Sequence, residues 1–268
     1  MNQNRQKLTI IGGGNLGSAI AKGILASELI PATNITVTRR RINLLKELQQ
    51  QGVAVTSKNV EAVSDADIVI LAIKPYQIEQ ICDEIAPALK PGCIVVSVAS
   101  GISLEKLQHH FHGDMPLYRA MPNTAIEIGE SITCLSSTNS TPEQDEMIME
   151  IFNKMGIAVM IPEELMGAAT ALGACGIAFA LRFIRAATQA GIEIGFGSKL
   201  ASQIVSQTVK GAAELIIRNE SHPEEEIDKV TTPRGVTISG LNEMEHHGFS
   251  SSLIKGVITS YKKIEGLK

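Results

Sequence analysis

Near its start the chain reads TIIGGGNLGSAI, a glycine-rich segment that follows β-branched residues. The spacing G-x-G-x-x-G occurs at Gly12, Gly14 and Gly17, after a predicted strand and before a predicted helix. In that context the first glycine makes a tight turn, the second lets the backbone approach a diphosphate, and the third permits close helix–strand packing. The helix N-terminus offers N–H groups and partial positive charge to the phosphates. This context favours a dinucleotide-binding turn over a glycine-rich turn without a ligand.

The end of the second predicted strand indicates which dinucleotide is bound. An Asp or Glu at this point would hold the ribose hydroxyls of NAD and would repel a 2′-phosphate. This chain has Thr38, Arg39, Arg40 and Arg41 instead, and a guanidinium group pairs with a phosphate through two hydrogen bonds. We predict that Thr38, Arg39 and Arg40 select NADP. Arg41 fits equally well as the solvated basic start of the next helix.

Two later segments carry polar groups that could meet a substrate. In YRAMPNT, Asn123 places an amide and Thr124 a hydroxyl in a loop that Pro122 restricts. In TTPRGVTI, the order Thr232, Pro233 predicts a capped helix start, whose N–H groups could hold a carboxylate while the hydroxyl of residue 237 contributes a further contact. A helix cap with no ligand explains the second segment equally well.

The elements that must position these residues alternate in type over the first part of the chain. Short apolar runs predict strands at residues 7–11, 35–38, 68–73 and 94–98, with extensions of the sheet at 117–119, 132–135 and 158–161. Helical spacing occurs at residues 17–27, 41–51, 76–86, 104–111 and 143–155. This order predicts an α/β Rossmann domain over residues 1–161, with a doubly wound, mostly parallel sheet.

From residue 162 onward the pattern is helical throughout, which predicts a second, all-α domain over residues 162–268. The predicted helices cover residues 163–190, 199–219, 233–247 and 250–264. Residues 166–181 are strongly apolar but fall short of the roughly 20 residues that cross a bilayer, so we expect a buried helix. A domain with few aromatic residues offers such a helix limited cover. We infer a homodimerisation interface, with a self-contained bundle as the alternative.

Composition narrows the class of protein. Of 268 residues, 44% are hydrophobic and 19% are charged, which is ordinary for a folded soluble protein. A net charge of −4 argues against a nucleic-acid partner. The polar start MNQNRQK lacks the apolar segment of a signal peptide, and no membrane attachment is expected.

Cysteine and histidine usage predicts neither a metal site nor disulfides. The cysteines are widely spaced, with no C-x-x-C pair, as expected of a reduced, cytoplasmic protein: Cys82, Cys93, Cys134 and Cys175. His109 and His112 have the spacing of one helix face, but no third ligand accompanies them. We interpret them, like His246 and His247, as solvated helix ends.

Taken together, these motifs resemble pyrroline-5-carboxylate reductases over nearly the whole chain. The matching pieces, in family order and spacing, are IGGGNLGSAI, LAIKP, RAMPNT, TAL, AGIEIG and VTTPRGVTISGL. The resemblance implies NADPH-dependent reduction of the cyclic imine 1-pyrroline-5-carboxylate to L-proline, the last step of proline biosynthesis. It also implies an N-terminal Rossmann domain and a C-terminal helical domain that interlocks with its twin, often within larger rings.

The resemblance further implies roles for individual residues. Those expected along the cofactor are Gly12, Gly14, Asn15, Leu16 and Gly17 at the diphosphate, Ala72, Lys74 and Pro75 after a strand, and Asn123 at the nicotinamide ribose or amide. Those expected around the imino-acid substrate are Gly235, Val236, Thr237 and Cys175. Because a cyclic imine is readily protonated and then accepts hydride, catalysis consists mainly of positioning. The resemblance and the helix start together make Thr237 the hydrogen-bond donor nearest the reacting nitrogen.

Two departures from the family pattern bear on the substrate. Where the family reads S-G-S-G-P-A-Y, this chain has GACGIAF, so Cys175 and Phe179 replace hydroxyl-bearing residues. Where the family reads S-P-G-G, this chain has TPRG, and Arg234 adds a charge. Two alternatives follow, namely a reductase of a different cyclic imine and a non-catalytic, dimeric dinucleotide-binding protein. A β-hydroxyacid dehydrogenase is weakened because residues 163–194 contain no lysine.

Overall fold

A single sheet forms the centre of the first part of the chain, in a computed structural model that describes residues 6–111 and 113–266. The strands follow the order β3-β2-β1-β4-β5-β6-β7-β8. Strands β1 to β6 run parallel, β7 is antiparallel to β6, and β8 is parallel to β7. Their bounds are β1 (Leu8–Ile11), β2 (Ile35–Thr38), β3 (Ala54–Thr56), β4 (Ile68–Leu71), β5 (Ile94–Ser97), β6 (Leu117–Met121), β7 (Ser131–Thr138) and β8 (Gly156–Met160).

The mostly parallel, doubly wound sheet confirms the predicted fold class. Every residue of β1, β4 and β5 is buried, because helices cover both faces of the sheet, as their uninterrupted apolar runs predict. The sequence analysis missed β3, which has only three residues and no fully buried position. A strand so short carries too little periodicity to be distinguished from a loop.

The helices that connect these strands are mostly short. Their bounds are α1 (Asn15–Ala26), α2 (Lys46–Gln50), α3 (Asn59–Val63), α4 (Ile78–Ile85), α5 (Leu104–Gln108) and α6 (Pro142–Asn153). The predicted helix over residues 41–51 consists of a 3₁₀ turn at Ile42–Leu45 and the single turn of α2. At the start of α6 the side chains of Thr141 and Gln144 each bond the other's backbone N–H group, which explains its sharp boundary.

The buried side chains form two apolar clusters, as expected of a sheet covered on both faces. The larger cluster includes Ile20 and Ile24 of α1 with Phe152 of α6. The smaller includes Cys82 of α4 and Leu107 of α5. Burial raises the pKa of Cys82 and of Cys93 to about 12, so both thiols stay protonated within the apolar core.

The chain divides into two compact units. The first unit runs to Ala174 and includes the chain again from Tyr261, and the second unit is Cys175–Ser260. The predicted domain boundary after residue 161 stays a prediction. The remaining helices are α7 (Met166–Ala169), α8 (Gly176–Glu193), α9 (Ser198–Asn219), α10 (Pro223–Lys229), α11 (Val236–His246) and α12 (Phe249–Ile264). The sequence analysis missed α10, although Pro223 and the acidic residues that follow it are a typical helix start.

The second unit buries very little of its own surface. Thr188 and Ala201 are its only buried residues, and large apolar side chains of α8, α9 and α12 are exposed. The helix over Glu163–Glu193 is long and apolar enough to cross a membrane by length and composition. The burial expected for this helix is therefore not provided by its own chain. The same exposure contradicts a self-contained bundle, because these side chains need cover from outside the chain.

Candidate active site

The predicted cofactor residues of the first unit meet at one edge of its sheet. Strands β1, β2, β4, β5 and β6 are parallel, so their carboxyl ends lie on the same side. The neighbours of β1 are β2 on one side and β4 on the other, which makes this the point where the winding of the chain reverses. Ligands of open α/β sheets bind in the crevice at such a switch point.

The turn after β1 is held between the ends of its two neighbours. Gly12 has a φ of 104°, which suits glycine, and the N–H groups of Gly12 and Gly13 donate to the Thr38 carbonyl at 3.2 and 2.7 Å. A Cβ atom added to Gly12 would lie 2.5 Å from the carbonyl oxygen of Ala72. The tight turn predicted for Gly12 is therefore present, and it leaves no room for a side chain.

Gly17 and Gly14 differ in what surrounds them. A Cβ atom on Gly17 would lie 2.1 Å from the Gly12 carbonyl oxygen, so this glycine permits the predicted close packing of α1. A Cβ atom on Gly14 would meet no protein atom within 4 Å. Gly14 precedes α1 with no side-chain cap, and the first helical hydrogen bond runs from the Ser18 N–H to Gly14 at 2.9 Å. The start of α1 thus borders open space at Gly14, which fits a diphosphate held by the N–H groups of the first helical turn.

From the end of β2 onward, the residues predicted to select NADP become progressively more exposed. Thr38 is buried, and its hydroxyl donates to Oδ1 of Asn59 at 2.8 Å. Arg39 is half-buried and donates from Nη1 to the Gly13 carbonyl at 2.7 Å. Arg40 is exposed. The threonine therefore anchors the strand end, and the two guanidinium groups supply positive charge beside the turn.

Asn59, at the start of α3, is a residue that the sequence analysis missed. Its side chain accepts the Thr38 hydrogen bond and donates from Nδ2 to Glu84 Oε1 at 3.3 Å. A polar residue just after a parallel strand is a useful indication of this sheet edge. Because the strand before it, β3, was not predicted, Asn59 had no predicted context.

The segment after β4 also reaches the site edge. The Ala72 N–H group donates to the Ile11 carbonyl at 2.8 Å, which joins this segment to the end of β1. Lys74 is exposed and has an extended backbone, with φ −71° and ψ 147°, as expected before Pro75. Its side chain lies on the surface, and its contact with the cofactor stays a prediction.

Asn123, after β6, has both ends of its amide engaged. Oδ1 accepts from the Ala125 N–H at 2.9 Å, and Nδ2 donates to the Gly173 carbonyl at 3.4 Å. Gly173 lies in a π-helical segment, Thr170–Ala174, and such segments occur frequently at functional sites. Asn123 therefore connects the end of β6 to this segment, and its contact with the nicotinamide stays a prediction.

A buried ion pair, which the sequence analysis also missed, supports the same region. Nη1 of Arg119 lies 2.6 Å from Oε1 of Glu163, which also accepts from the Leu104 N–H at 3.0 Å. One carboxylate thus joins β6, the start of α5 and the segment that leads into α7. Arg119 Nε and Glu163 Oε2 are buried without a hydrogen-bond partner among the described residues.

In the second unit the structure corrects the predicted helix start. Helix α11 begins at Val236 with Gly235 as its N-cap, so the prediction of Thr232 as cap and Pro233 in the first turn is wrong. Thr232–Gly235 form a tight turn instead, in which the Gly235 N–H donates to the Thr232 carbonyl at 2.9 Å. A Cβ atom on Gly235 would lie 2.5 Å from Thr232 Oγ1, and Arg234 takes a left-handed φ of 60°.

Of the predicted substrate residues, Gly235, Val236 and Thr237 lie together at this helix start, whereas Cys175 lies at the start of another helix. Val236 is 90% exposed, and Thr237 is half-buried with no hydrogen-bond partner for its hydroxyl in the part of the chain that the structure describes. Cys175, half-buried, is the residue before α8. The cofactor set thus belongs to the first unit, and the substrate set to the second.

The histidines do not form a metal site in the described ranges, where no group of three or more His, Cys, Asp or Glu side chains could hold an ion. His109 bonds to the Glu105 carbonyl at 2.7 Å within its own helix turn. His112, its predicted partner on one helix face, lies outside the described residues. His247 lies at the exposed end of α11, paired with Glu243.

Comparison with protein-family models gives two matches. Residues 163–267 match the model described as pyrroline-5-carboxylate reductase dimerisation. Residues 7–101 match the model described as NADP oxidoreductase coenzyme F420-dependent. The first accounts for the exposed apolar helices, because a dimerisation domain buries such surfaces against a second copy. The inferred homodimerisation interface is confirmed.

Individual relatives extend the similarity over the whole chain. Pyrroline-5-carboxylate reductase 2 of Dictyostelium discoideum is 42% identical, covering 97% of this chain and 93% of the relative. Pyrroline-5-carboxylate reductase 1 of the same organism is 46% identical over 97% of this chain, which spans about half (49%) of that longer relative. The crystal structure of Plasmodium falciparum pyrroline carboxylate reductase with NADP bound superimposes with a TM-score of 0.91 at 27% identity, covering 98% of each chain.

Proposed function

Because this chain belongs to the pyrroline-5-carboxylate reductase family, we propose that it reduces 1-pyrroline-5-carboxylate to L-proline by hydride transfer from NADPH. The observation that carries this proposal is the family similarity across both units, which joins a nucleotide-binding turn and a dimerisation domain in one chain. The reaction class is that of an oxidoreductase acting on a C=N bond. Its product makes it the last step of proline biosynthesis.

The residues of the first unit would hold the cofactor. The backbone of Gly12, Gly14, Asn15, Leu16 and Gly17 fits the diphosphate, since the N–H groups at the start of α1 face open space at Gly14. Thr38 fixes the end of β2, and positive charge from the arginines that follow favours a 2′-phosphate and hence NADPH over NADH, with the exposed Arg40 free to reach it. Ala72, Lys74, Pro75 and Asn123 would line the rest of the cofactor.

The residues at the start of α11 would hold the substrate. Its carboxylate would lie against Gly235 and accept hydrogen bonds from the N–H groups of Val236 and Thr237 in the first turn, where the helix dipole favours negative charge. The Thr237 hydroxyl would orient the ring by a hydrogen bond at its nitrogen, as donor to the neutral imine and as acceptor from the N–H of the protonated form. The ring nitrogen would first take a proton from water, and the cofactor, when bound, would supply the hydride to the carbon of the resulting iminium form. Cys175 would line the pocket without donating a hydroxyl contact.

The same proposal covers the cellular compartment and the partners of the enzyme. All four cysteines are free, which is in keeping with a cytoplasmic protein. The apolar surfaces of the second unit fit a homodimer, or a larger homo-oligomer, rather than a membrane or a nucleic acid. The partner in solution is therefore a second copy of the chain, and the ligand is a small imino acid.

The direct test is the loss of NADPH absorbance on adding 1-pyrroline-5-carboxylate, with proline measured as the product and NADH as the matched cofactor. We expect one proline for each NADPH consumed, and a lower KM for NADPH than for NADH. Turnover of another cyclic imine only would overturn the substrate assignment, which Arg234 and Cys175 make the most sensitive part of the proposal. Cofactor binding without oxidation of any imine would overturn the enzymatic function altogether.

A further inference from the structure

The segment Gly12-Gly13-Gly14 raises the question of what fixes its conformation. Glycine has more backbone freedom than any other residue, and three in a row lose much entropy on ordering. The Gly13 carbonyl accepts two side-chain hydrogen bonds, from Arg39 Nη1 at 2.7 Å and from Ser18 Oγ at 3.3 Å. The arginine bond is the shorter one and carries a charge, so it is the stronger restraint.

Arg39 is itself held in place for this contact. Its backbone N–H donates to the Thr56 carbonyl at 3.0 Å, and its side chain is half-buried. Among the described residues it forms no ion pair, and the Gly13 carbonyl is the acceptor of its side-chain hydrogen bond. Arg40 and Arg41, by contrast, are exposed and make no side-chain hydrogen bond within the described ranges.

We propose that Arg39 is a positioning residue for the diphosphate-binding turn, and that Arg40 is the residue that discriminates the 2′-phosphate. By holding the Gly13 carbonyl, Arg39 fixes the peptide that leads into Gly14, the N-cap of α1. Reorientation of that peptide would disturb the Gly14 N–H bond to the Gly12 carbonyl, at 2.9 Å, and the start of the helix. This role serves any dinucleotide, with or without a 2′-phosphate.

The proposal rests on the proposed function, since it assumes that the turn binds a nicotinamide dinucleotide. It gives different roles to two arginines that are adjacent in sequence and that a phosphate-recognition pattern alone does not distinguish. The consequence is a difference in cofactor dependence. Loss of Arg39 weakens the binding of NADPH and NADH by a similar factor, whereas loss of Arg40 weakens the binding of NADPH alone.

The test compares Arg39→Gln, Arg40→Gln and, as a matched control, Arg41→Gln in the full chain. Calorimetric titration gives the Kd of each cofactor without turnover. For Arg39→Gln we expect both Kd values to rise about tenfold, in line with a hydrogen bond from a charged group. For Arg40→Gln only the NADPH value should rise, and Arg41→Gln should leave both unchanged.

Hydrogen exchange of the ligand-free protein supplies a second measurement. Arg39→Gln should speed the exchange of amides in residues 12–18, and Arg39→Lys, which keeps a donor, should restore part of the protection. An Arg39→Gln variant that loses NADPH affinity but keeps NADH affinity and wild-type exchange would overturn the proposal. If the wild-type chain bound neither cofactor, the proposed function would fail first, and calorimetry would show that before any variant is compared.

Discussion

The two units of this chain differ in how much of its apolar surface each one buries against its own residues. The first unit buries two apolar clusters around its sheet, and helices cover both faces. In the second unit Thr188 and Ala201 are the only buried residues, while side chains such as Leu181 and Ile254 are more than half exposed. The cofactor unit is therefore stable on its own contacts, and the dimerisation unit depends on a second copy of the chain.

The same difference holds for the functional groups. Thr38, Arg39 and Asn123 each have polar partners within the first unit, so the cofactor edge is organised before a ligand arrives. At the start of α11, the Thr237 hydroxyl has no partner among the described residues, and Val236 is almost fully exposed. We expect the first site to tolerate little change in its backbone, and the second to respond mainly to changes in its polar groups.

The largest effect is expected at the glycines of the turn. Gly17→Val should lower the melting temperature and abolish measurable NADPH binding, because even a Cβ atom would lie 2.1 Å from the Gly12 carbonyl. Gly14→Ala is the matched variant, since its Cβ atom meets no protein atom within 4 Å. It should keep wild-type stability and still lose NADPH affinity. Equal melting temperatures for Gly17→Val and the wild type would contradict the packing role.

The next effect concerns the buried ion pair of the first unit. Arg119→Met leaves the Glu163 carboxylate without its partner and should lower the free energy of unfolding by about 3–5 kcal/mol. Arg218→Met removes an exposed pair with Glu214 in the second unit and should cost less than about 1 kcal/mol. Chemical denaturation of both variants at one protein concentration measures the difference. Similar losses would mean that burial does not distinguish the two pairs.

A smaller, kinetic effect is expected at Thr237. Thr237→Ala should lower kcat/KM for 1-pyrroline-5-carboxylate about 10- to 100-fold, the value of one hydrogen bond to a polar or charged group, and leave the Kd of NADPH unchanged. Thr237→Ser should restore most of the activity. Ser239→Ala, which removes an exposed hydroxyl from the same helix, is the control. An unchanged kcat/KM in Thr237→Ala would remove this residue from the proposed mechanism.

The smallest effect is the low reactivity of two buried thiols. Because burial raises the pKa of Cys82 and Cys93 to about 12, both remain neutral S–H groups at pH 8 and should resist alkylation by iodoacetamide in the native protein. After unfolding in urea, the same cysteines should react readily. Peptide mass spectrometry reports both states. Modification of Cys82 in the native protein at the unfolded rate would show that the core of the first unit opens often.

The sequence predicted the elements with strong local patterns. Strands such as β1 and β4 are apolar throughout, and the roles of Gly12 and Gly17 follow from a turn whose geometry is local. What it missed depends on contacts between distant residues. The Arg119–Glu163 pair joins positions far apart in the chain, and no pattern within either segment indicates the partner.

The helix start predicted in TTPRGVTI was wrong for a different physical reason. Thr232 and Pro233 have the residue types of a cap and a first turn, but the chain uses them in a tight turn closed by Gly235. The choice depends on the left-handed backbone of Arg234, a conformation that residue type does not indicate for arginine. Likewise, the apolarity of α8 was evident, but whether its cover came from the same chain or from a second copy depends on tertiary packing.

The most direct test of the contrast between the units is to separate the two chains of the dimer. NADPH binding then reports on the first unit, and turnover reports on the site that needs the second. Leu181→Glu places a charge on an exposed apolar face of α8, and Ile128→Glu does the same at an exposed position of the first unit. In parallel, light scattering gives the mass, calorimetry the Kd of NADPH, and the absorbance assay the turnover. We predict that Leu181→Glu is monomeric, binds NADPH like the wild type and has lost turnover, while Ile128→Glu stays dimeric and active. A monomeric Leu181→Glu variant with wild-type turnover would contradict the account.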